Sequence, residues 1–106
     1  MSKPNLNDEQ LQQALENCPA PRVTKEYMES RIQEVVYLDQ AFGGTVTICN
    51  ILLNNGFSIR GESACVNPEN YNQDIGRKIA YDRAINSLWP LFGFLLAEVN
   101  HIQKAK

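Results

Sequence analysis

The sequence predicts an α+β fold: one central antiparallel β-hairpin with helices packed on it, in a compact single domain. Three observations carry that reading. Two runs rich in β-branched and apolar residues, about 45–54 and 57–66, flank Asn55-Gly56, the pair that a tight hairpin turn favours. Apolar residues at helical spacing mark helices over about 24–41, 72–89 and 90–103, and a short helix sits near the N-terminus. The 106 residues, 43% of them hydrophobic, suffice for one buried core without staples.

The N-terminal helix is marked by its cap. Asn7 stands at the N-cap and Gln10 at the reciprocal capping-box position, with Leu6 and Leu11 at staple positions. Leu11 and Leu15 give it only a thin apolar stripe, that of a loosely docked arm or one that packs on a partner chain. Cys18-Pro19-Ala20-Pro21 then makes an extended connector, so residues 1–21 form an arm and 22–106 the domain. Thr24 caps the second helix; Met28, Ile32, Val35 and Val36 fall on one helical face, and Gly43-Gly44 end it.

A two-residue Asn-Gly turn sets Asn54 opposite Phe57. Counting outward, Val46, Ile48, Asn50 and Leu52 share a face with Phe57, Ile59, Gly61, Ser63 and Cys65, and this is the more apolar face. Cys49 and Cys65 fall on opposite faces, which argues against a disulfide. A slip of one residue would exchange the two faces of a strand. Asn50 then lies on the core face opposite Gly61. There it bonds Ser63 or a helix end, is turned outward by a bulge, or lines a ligand site.

Asn67-Pro68-Glu69-Asn70 reads as a turn, with Asn70 or Asn72 capping the third helix. Gly76, Ala80 and Ala84 recur every fourth residue, a small-residue stripe that lets a helix backbone lie close to a sheet. Tyr81, Ile85 and Leu88 form a second apolar arc. Pro90 suits the first turn of a fourth helix. Leu91, Phe92, Phe94, Leu95, Leu96 and Val99 make that helix apolar almost all round, which predicts a homo-oligomer through this segment.

Composition removes several function classes. Ten Lys and Arg against twelve Asp and Glu give a net charge of −2, without the basic excess of a general nucleic-acid binder. Three cysteines with no CxxC pair and one histidine make a zinc site improbable. The first thirteen residues are polar and carry no signal-peptide core. The longest apolar run, Leu88–Ala97, is interrupted by Pro90 and Gly93 and falls short of the ~20 residues that cross a bilayer. A cytoplasmic setting with reduced thiols is the default. Cys65 has no neighbouring base, His101 being far along the chain, and Ser63 lacks the glycine that a nucleophile elbow requires. Glu62 and Glu69 stand on a strand and in a loop at no defined separation. No catalytic set, metal site or cofactor motif is legible, and a non-enzymatic role is expected.

One stretch is more specific. Asn55-Gly56-Phe57, then Gly61-Glu62-Ser63-Ala64-Cys65-Val66-Asn67-Pro68-Glu69-Asn70-Tyr71, then Ile75-Gly76-Arg77-Lys78-Ile79-Ala80-Tyr81 and Trp89-Pro90-Leu91 resemble a family of small tailed-bacteriophage proteins named after a gene 49 product and a gene 66 product. The resemblance runs from about Arg22 to Ala97 and leaves out the arm. It implies a phage accessory protein made in the cytoplasm of the infected bacterial host. It brings no settled activity. By analogy, small phage proteins of this kind counter host defence or redirect host machinery, some by sequestering a signalling nucleotide.

The candidate ligand site is the start of the third helix, where unpaired N–H groups attract phosphate. Arg77, Lys78 and Arg83 would neutralise a small anionic, nucleotide-like ligand. Asn67 and Asn70 would bond its sugar or base, and Tyr71, Tyr81 or Phe57 would stack on it. The structural alternative is plain: the asparagines cap, Arg77 and Lys78 are solvated, and Arg83 pairs with Glu62 or Asp82. The competing function is inhibition or modulation of a host bacterial enzyme through the C-terminal helix or the arm.

Overall fold

A computed structural model describes residues 4–18, 20 and 22–104. Its architecture is α+β, a three-stranded antiparallel sheet with helices around it. Helix α1 (Asp8–Glu16) opens with the expected capping box, Gln10 N donating to Asn7 Oδ1 at 2.8 Å and Asn7 N to Gln10 Oε1 at 3.0 Å. It buries no residue. Of the proline connector, Pro19 and Pro21 lie outside the described residues, as do Met1–Lys3 at the start of the arm.

The helix expected over 24–41 is mostly a strand. Helix α2 (Lys25–Ser30) is capped by Thr24 and stops after six residues; strand β1 (Ile32–Ala41) follows. Met28, Ile32, Val35 and Val36 fit a helical period, but Val35 and Tyr37 alternate equally well with Val36 and Leu38. The β-branched and aromatic content favours the sheet once a partner strand exists. Gly43 and Gly44 therefore close a β-turn, not a helix: Gly43 N bonds Gln40 O at 2.9 Å and Gly44 N bonds Ala41 O at 3.1 Å. In this turn Phe42 holds a left-handed φ of 60° with its ring fully exposed.

Strands β2 (Val46–Leu53) and β3 (Ser58–Ala64) form the predicted hairpin, in sheet order β1-β2-β3. Its register is one residue away from the Asn-Gly count. The loop has three residues, Asn54-Asn55-Gly56, and only Gly56 takes a positive φ, 90°. Leu53 N bonds Phe57 O at 2.8 Å, so Leu53, not Asn54, opposes Phe57. A three-residue loop with glycine in the left-handed position produces this extra residue. The consequence is a flipped β2. Thr47, Cys49, Ile51 and Leu53 face inward with Ile59, Gly61 and Ser63, while Val46, Ile48, Asn50 and Leu52 face outward. Asn50 is thus opposite Arg60, not Gly61, and its amide donates to Val36 O at 3.3 Å. Cys49 and Cys65 share a face after all. Cys49 pairs with Gly61, which leaves Cys65 four residues further along the neighbouring strand line, about 13 Å away. Both are free thiols.

After a 3₁₀ turn (Pro68–Asn70), helix α3 (Gln73–Asn86) begins at its cap Asn72 and lies across the inner face. The small-residue stripe makes the contact. A Cβ on Gly61 would fall inside van der Waals distance of the Ala80 carbonyl and the Ala84 backbone, and one on Gly76 would stand 2.7 Å from Thr47 Oγ1. Ser63 Oγ donates to Gly76 O at 2.7 Å and fixes the helix lengthwise. Met28, Cys49, Ile51, Leu53, Ala80, Ala84, Ile85, Leu88 and Phe92 form the buried cluster. Helix α4 (Trp89–Lys104) attaches through Phe92, its one buried residue, which meets the Tyr27 ring edge-on at 6.0 Å. The radius of gyration, 17.4 Å, exceeds the ~13 Å of a closely packed chain of this length, because α1 and the far turns of α4 stand off the core.

Candidate functional site

The start of α3 is built from caps. Asn67 Oδ1 accepts from Glu69 N at 3.0 Å, and Asn72 Oδ1 from Ile75 N at 3.1 Å. Asn70 and Tyr71 line a cavity of 60 Å³ with Thr45, Ser63, Cys65 and Gly76. That volume suits about two water molecules, far below the several hundred Å³ of a nucleotide pocket. No lysine or arginine lines it. The Tyr71 hydroxyl is buried there without a partner among the described residues.

The three cations expected around it are engaged elsewhere. Arg77 points across the sheet edge to Asp39 of β1, Nε to Oδ1 at 2.9 Å and Nη2 to Oδ2 at 2.5 Å, with its guanidinium carbon 4.9 Å from the Tyr37 ring centroid. Gln73 Nε2 adds a bond to Asp39 Oδ2 at 2.9 Å. These donors hold the Asp39 carboxyl below its ordinary pKa, and the carboxylate raises that of Arg77. Lys78 pairs with Asp82 one turn on, at 2.8 Å. Arg83 Nη1 donates to the Glu62 backbone oxygen at 2.9 Å. Of the structural alternative, the Arg83–Glu62 contact is present, through the carbonyl of Glu62 and not its carboxylate, whereas Arg77 and Lys78 pair with Asp39 and Asp82 instead of being solvated. Asp39 is not legible in the sequence as a partner of Arg77, because its segment, a strand, also fits a helical period.

The aromatic candidates divide as well. Tyr81 donates its hydroxyl to Glu29 Oε2 at 2.5 Å, and burial together with that carboxylate raises its pKa far above the ordinary tyrosine value. Phe57 sits at the hairpin tip, beside the C-terminal end of α3. The cavity with Asn70 lies at the N-terminal end, about 20 Å away by helix length. Arg77, Lys78, Arg83, Asn67, Asn70, Tyr71, Tyr81 and Phe57 therefore converge on no common point. Burial raises the pKa of the Cys49 thiol, and Cys65 Sγ donates to Asn67 O at 3.1 Å. Among the described residues no cluster of three or more His, Cys, Asp and Glu could hold a metal ion, and no helix is long and apolar enough to cross a membrane.

Two concave apolar surfaces flank α4. On one side Val23 and Tyr27 face Phe92, Leu95, Leu96 and Val99 across a groove of 280 Å³. On the other, Leu53, Phe57 and Leu88 face Leu91, Phe94 and Leu95 across one of 250 Å³. Along the helix, Leu91, Phe94, Leu95, Val99 and Ile102 are 40–70% exposed, Phe94 the most. The all-round apolar pattern of this helix was legible in the sequence. The grooves beside it come from α2 and from the hairpin tip, which only the fold brings there.

No curated protein and no solved structure matches the chain. A family model does, over residues 23–99, from the approach to α2 into the fourth turn of α4, leaving α1 outside. With its hairpin, its glycine-to-helix contact and most of α4 inside that match, the chain belongs to the phage protein (N4 Gp49/phage Sf6 gene 66) family.

Proposed function

We propose that this phage protein is a non-enzymatic accessory factor that acts in the host cytoplasm by binding and modulating a host bacterial enzyme through α4. The observation that carries the reading is the row Leu91, Phe94, Leu95, Val99 and Ile102, large apolar side chains left in water on a helix that buries only Phe92. Isolated exposed apolar residues are ordinary; a contiguous row beside two apolar grooves marks a protein-binding surface. Phe94 fits the central anchor, a large ring whose burial excludes water on both sides.

Sequestration of a small anionic nucleotide-like signal to counter host defence has less support, because its cations are paired and its cavity is small. The test uses two variants. Phe94→Ala removes an exposed ring and spares the core; Arg77→Ala removes the best-placed cation. The protein-binding reading expects a stoichiometric bacterial enzyme whose activity changes on adding the wild-type protein. Phe94→Ala should weaken that effect about 30-fold, the loss typical of an anchor, and Arg77→Ala should leave it intact. Thermal stabilisation by a cyclic nucleotide that Arg77→Ala abolishes would reverse the choice. Self-pairing through α4 would appear as a Phe94→Ala effect on mass without any host partner, and would also count against this reading.

A further inference from the structure

The sheet has two faces, and α3 covers one. On the other, Val46, Ile48 and Leu52 of β2 stand beside Val36 and Leu38 of β1. A water-facing side of an antiparallel sheet normally alternates to polar residues. Here β2 is apolar on its outer side apart from Asn50, and Val36 and Leu38 are 50% and 53% exposed. The β3 strip of this face runs Ser58, Arg60, Glu62. Arg60 Nη1 donates to Ser58 Oγ at 3.3 Å, and among the described residues neither Arg60 nor Glu62 has an ion-pair partner.

We propose that this face packs on the same face of a second copy of the chain. A two-fold axis between the sheets, perpendicular to the strands and centred between Arg60 and Glu62, lays β3 over β3 in reverse. Arg60 of each copy then meets Glu62 of the other, giving two reciprocal pairs. The same rotation sets Val36 over Leu38 and Leu38 over Val36, apolar on apolar, at the ~10 Å spacing of stacked sheets. Ile48 meets Asn50, whose amide already has the Val36 carbonyl as acceptor. Face packing is favoured over edge pairing. β1 has register breaks at Ile32/Glu34 and Leu38/Ala41, and Gln40 there has a φ of 49°, so its free edge is poorly shaped to receive a strand, while on the β3 edge the Glu62 carbonyl already accepts from Arg83.

Sedimentation velocity from about 1 µM to about 1 mM tests the proposal. Wild type should dimerise, and Leu38→Lys should be monomeric throughout. Arg60→Glu and Glu62→Arg should each weaken the dimer about tenfold by setting like charges face to face, and the double exchange should recover wild-type affinity within about threefold. Phe94→Ala should leave the dimer unchanged, which separates this surface from α4. A wild type that stays monomeric, a double exchange no tighter than the weaker single variant, or a dimer lost only with Phe94→Ala would each overturn it. All the substituted side chains are exposed or half-exposed, and circular dichroism checks the fold. If Leu38→Lys unfolds, the charge exchange decides alone.

Discussion

Replacing Gly61 by alanine adds one methyl group at the closest approach of helix and sheet. The ideal Cβ would stand 2.9 Å from the Ala84 Cα, with the Ala80 carbonyl oxygen and Ala84 nitrogen closer still. Ordinary carbon–carbon contact is about 3.5–4.0 Å, so α3 must retreat by about 1 Å or β3 must bend. The obstacle is backbone on both sides and cannot rotate away. Retreat would loosen Ala80, Ala84 and Ile85 against Cys49 and Ile51, all of them buried. Overpacking of this kind costs up to about 3 kcal/mol, offset only slightly by the lower chain entropy of unfolded alanine. For a chain of this size about 3 kcal/mol lowers Tm by roughly 12–24 °C. Gly93 supplies the control: it lies in α4, and a Cβ there meets nothing within 4 Å. Gly93→Ala should raise stability by about 0.5–1 kcal/mol through helix propensity. Thermal unfolding of both variants reads the comparison directly. If Gly61→Ala melts within a few degrees of wild type, the backbone-to-backbone contact of β3 and α3 is wrong.

Two further substitutions probe the turn and the ion pair. Phe42→Asn relieves a left-handed backbone at a ring that touches nothing, and should raise the denaturant midpoint by the equivalent of roughly 0.5–1 kcal/mol; a lower midpoint would mean that the ring has a contact after all. Because its folded pKa is depressed, Asp39 contributes stability that is complete above its unfolded value of about 3.9 and is lost as pH falls through the folded value. The Tm gap between wild type and Asp39→Asn should therefore be constant near neutral pH and close below pH ~4. A gap that persists in strong acid would show that Arg77 does not act through that carboxylate.

The local signals are legible in the sequence. The caps at Asn7, Thr24 and Asn72 stand where the side-chain chemistry put them, because a cap is decided within four residues. The Gly76-Ala80-Ala84 stripe was legible for a similar reason: only close backbone packing rewards three small residues on one helical line. What failed was non-local. Ile32–Ala41 satisfies two periods at once, and its choice of strand rests on β2, which lies beyond the turn. Asn54-Asn55-Gly56 is compatible with a two- or a three-residue loop, and one φ separates them. That one step reverses which side of β2 is buried, since side chains alternate at every residue. The surroundings of the expected ligand residues depend on the same non-local pairing. Asn50 faces outward, and Arg77 bonds Asp39 on a strand whose residues also fit a helical period.

The most direct measurement of the functional account is native mass spectrometry of the tagged protein isolated from phage-infected bacteria, wild type beside Phe94→Ala. Wild type should give a species heavier by the mass of one bacterial protein, absent from the variant. A chain that instead carries a molecule of small-metabolite mass, retained in both proteins and released only on denaturation, would contradict it.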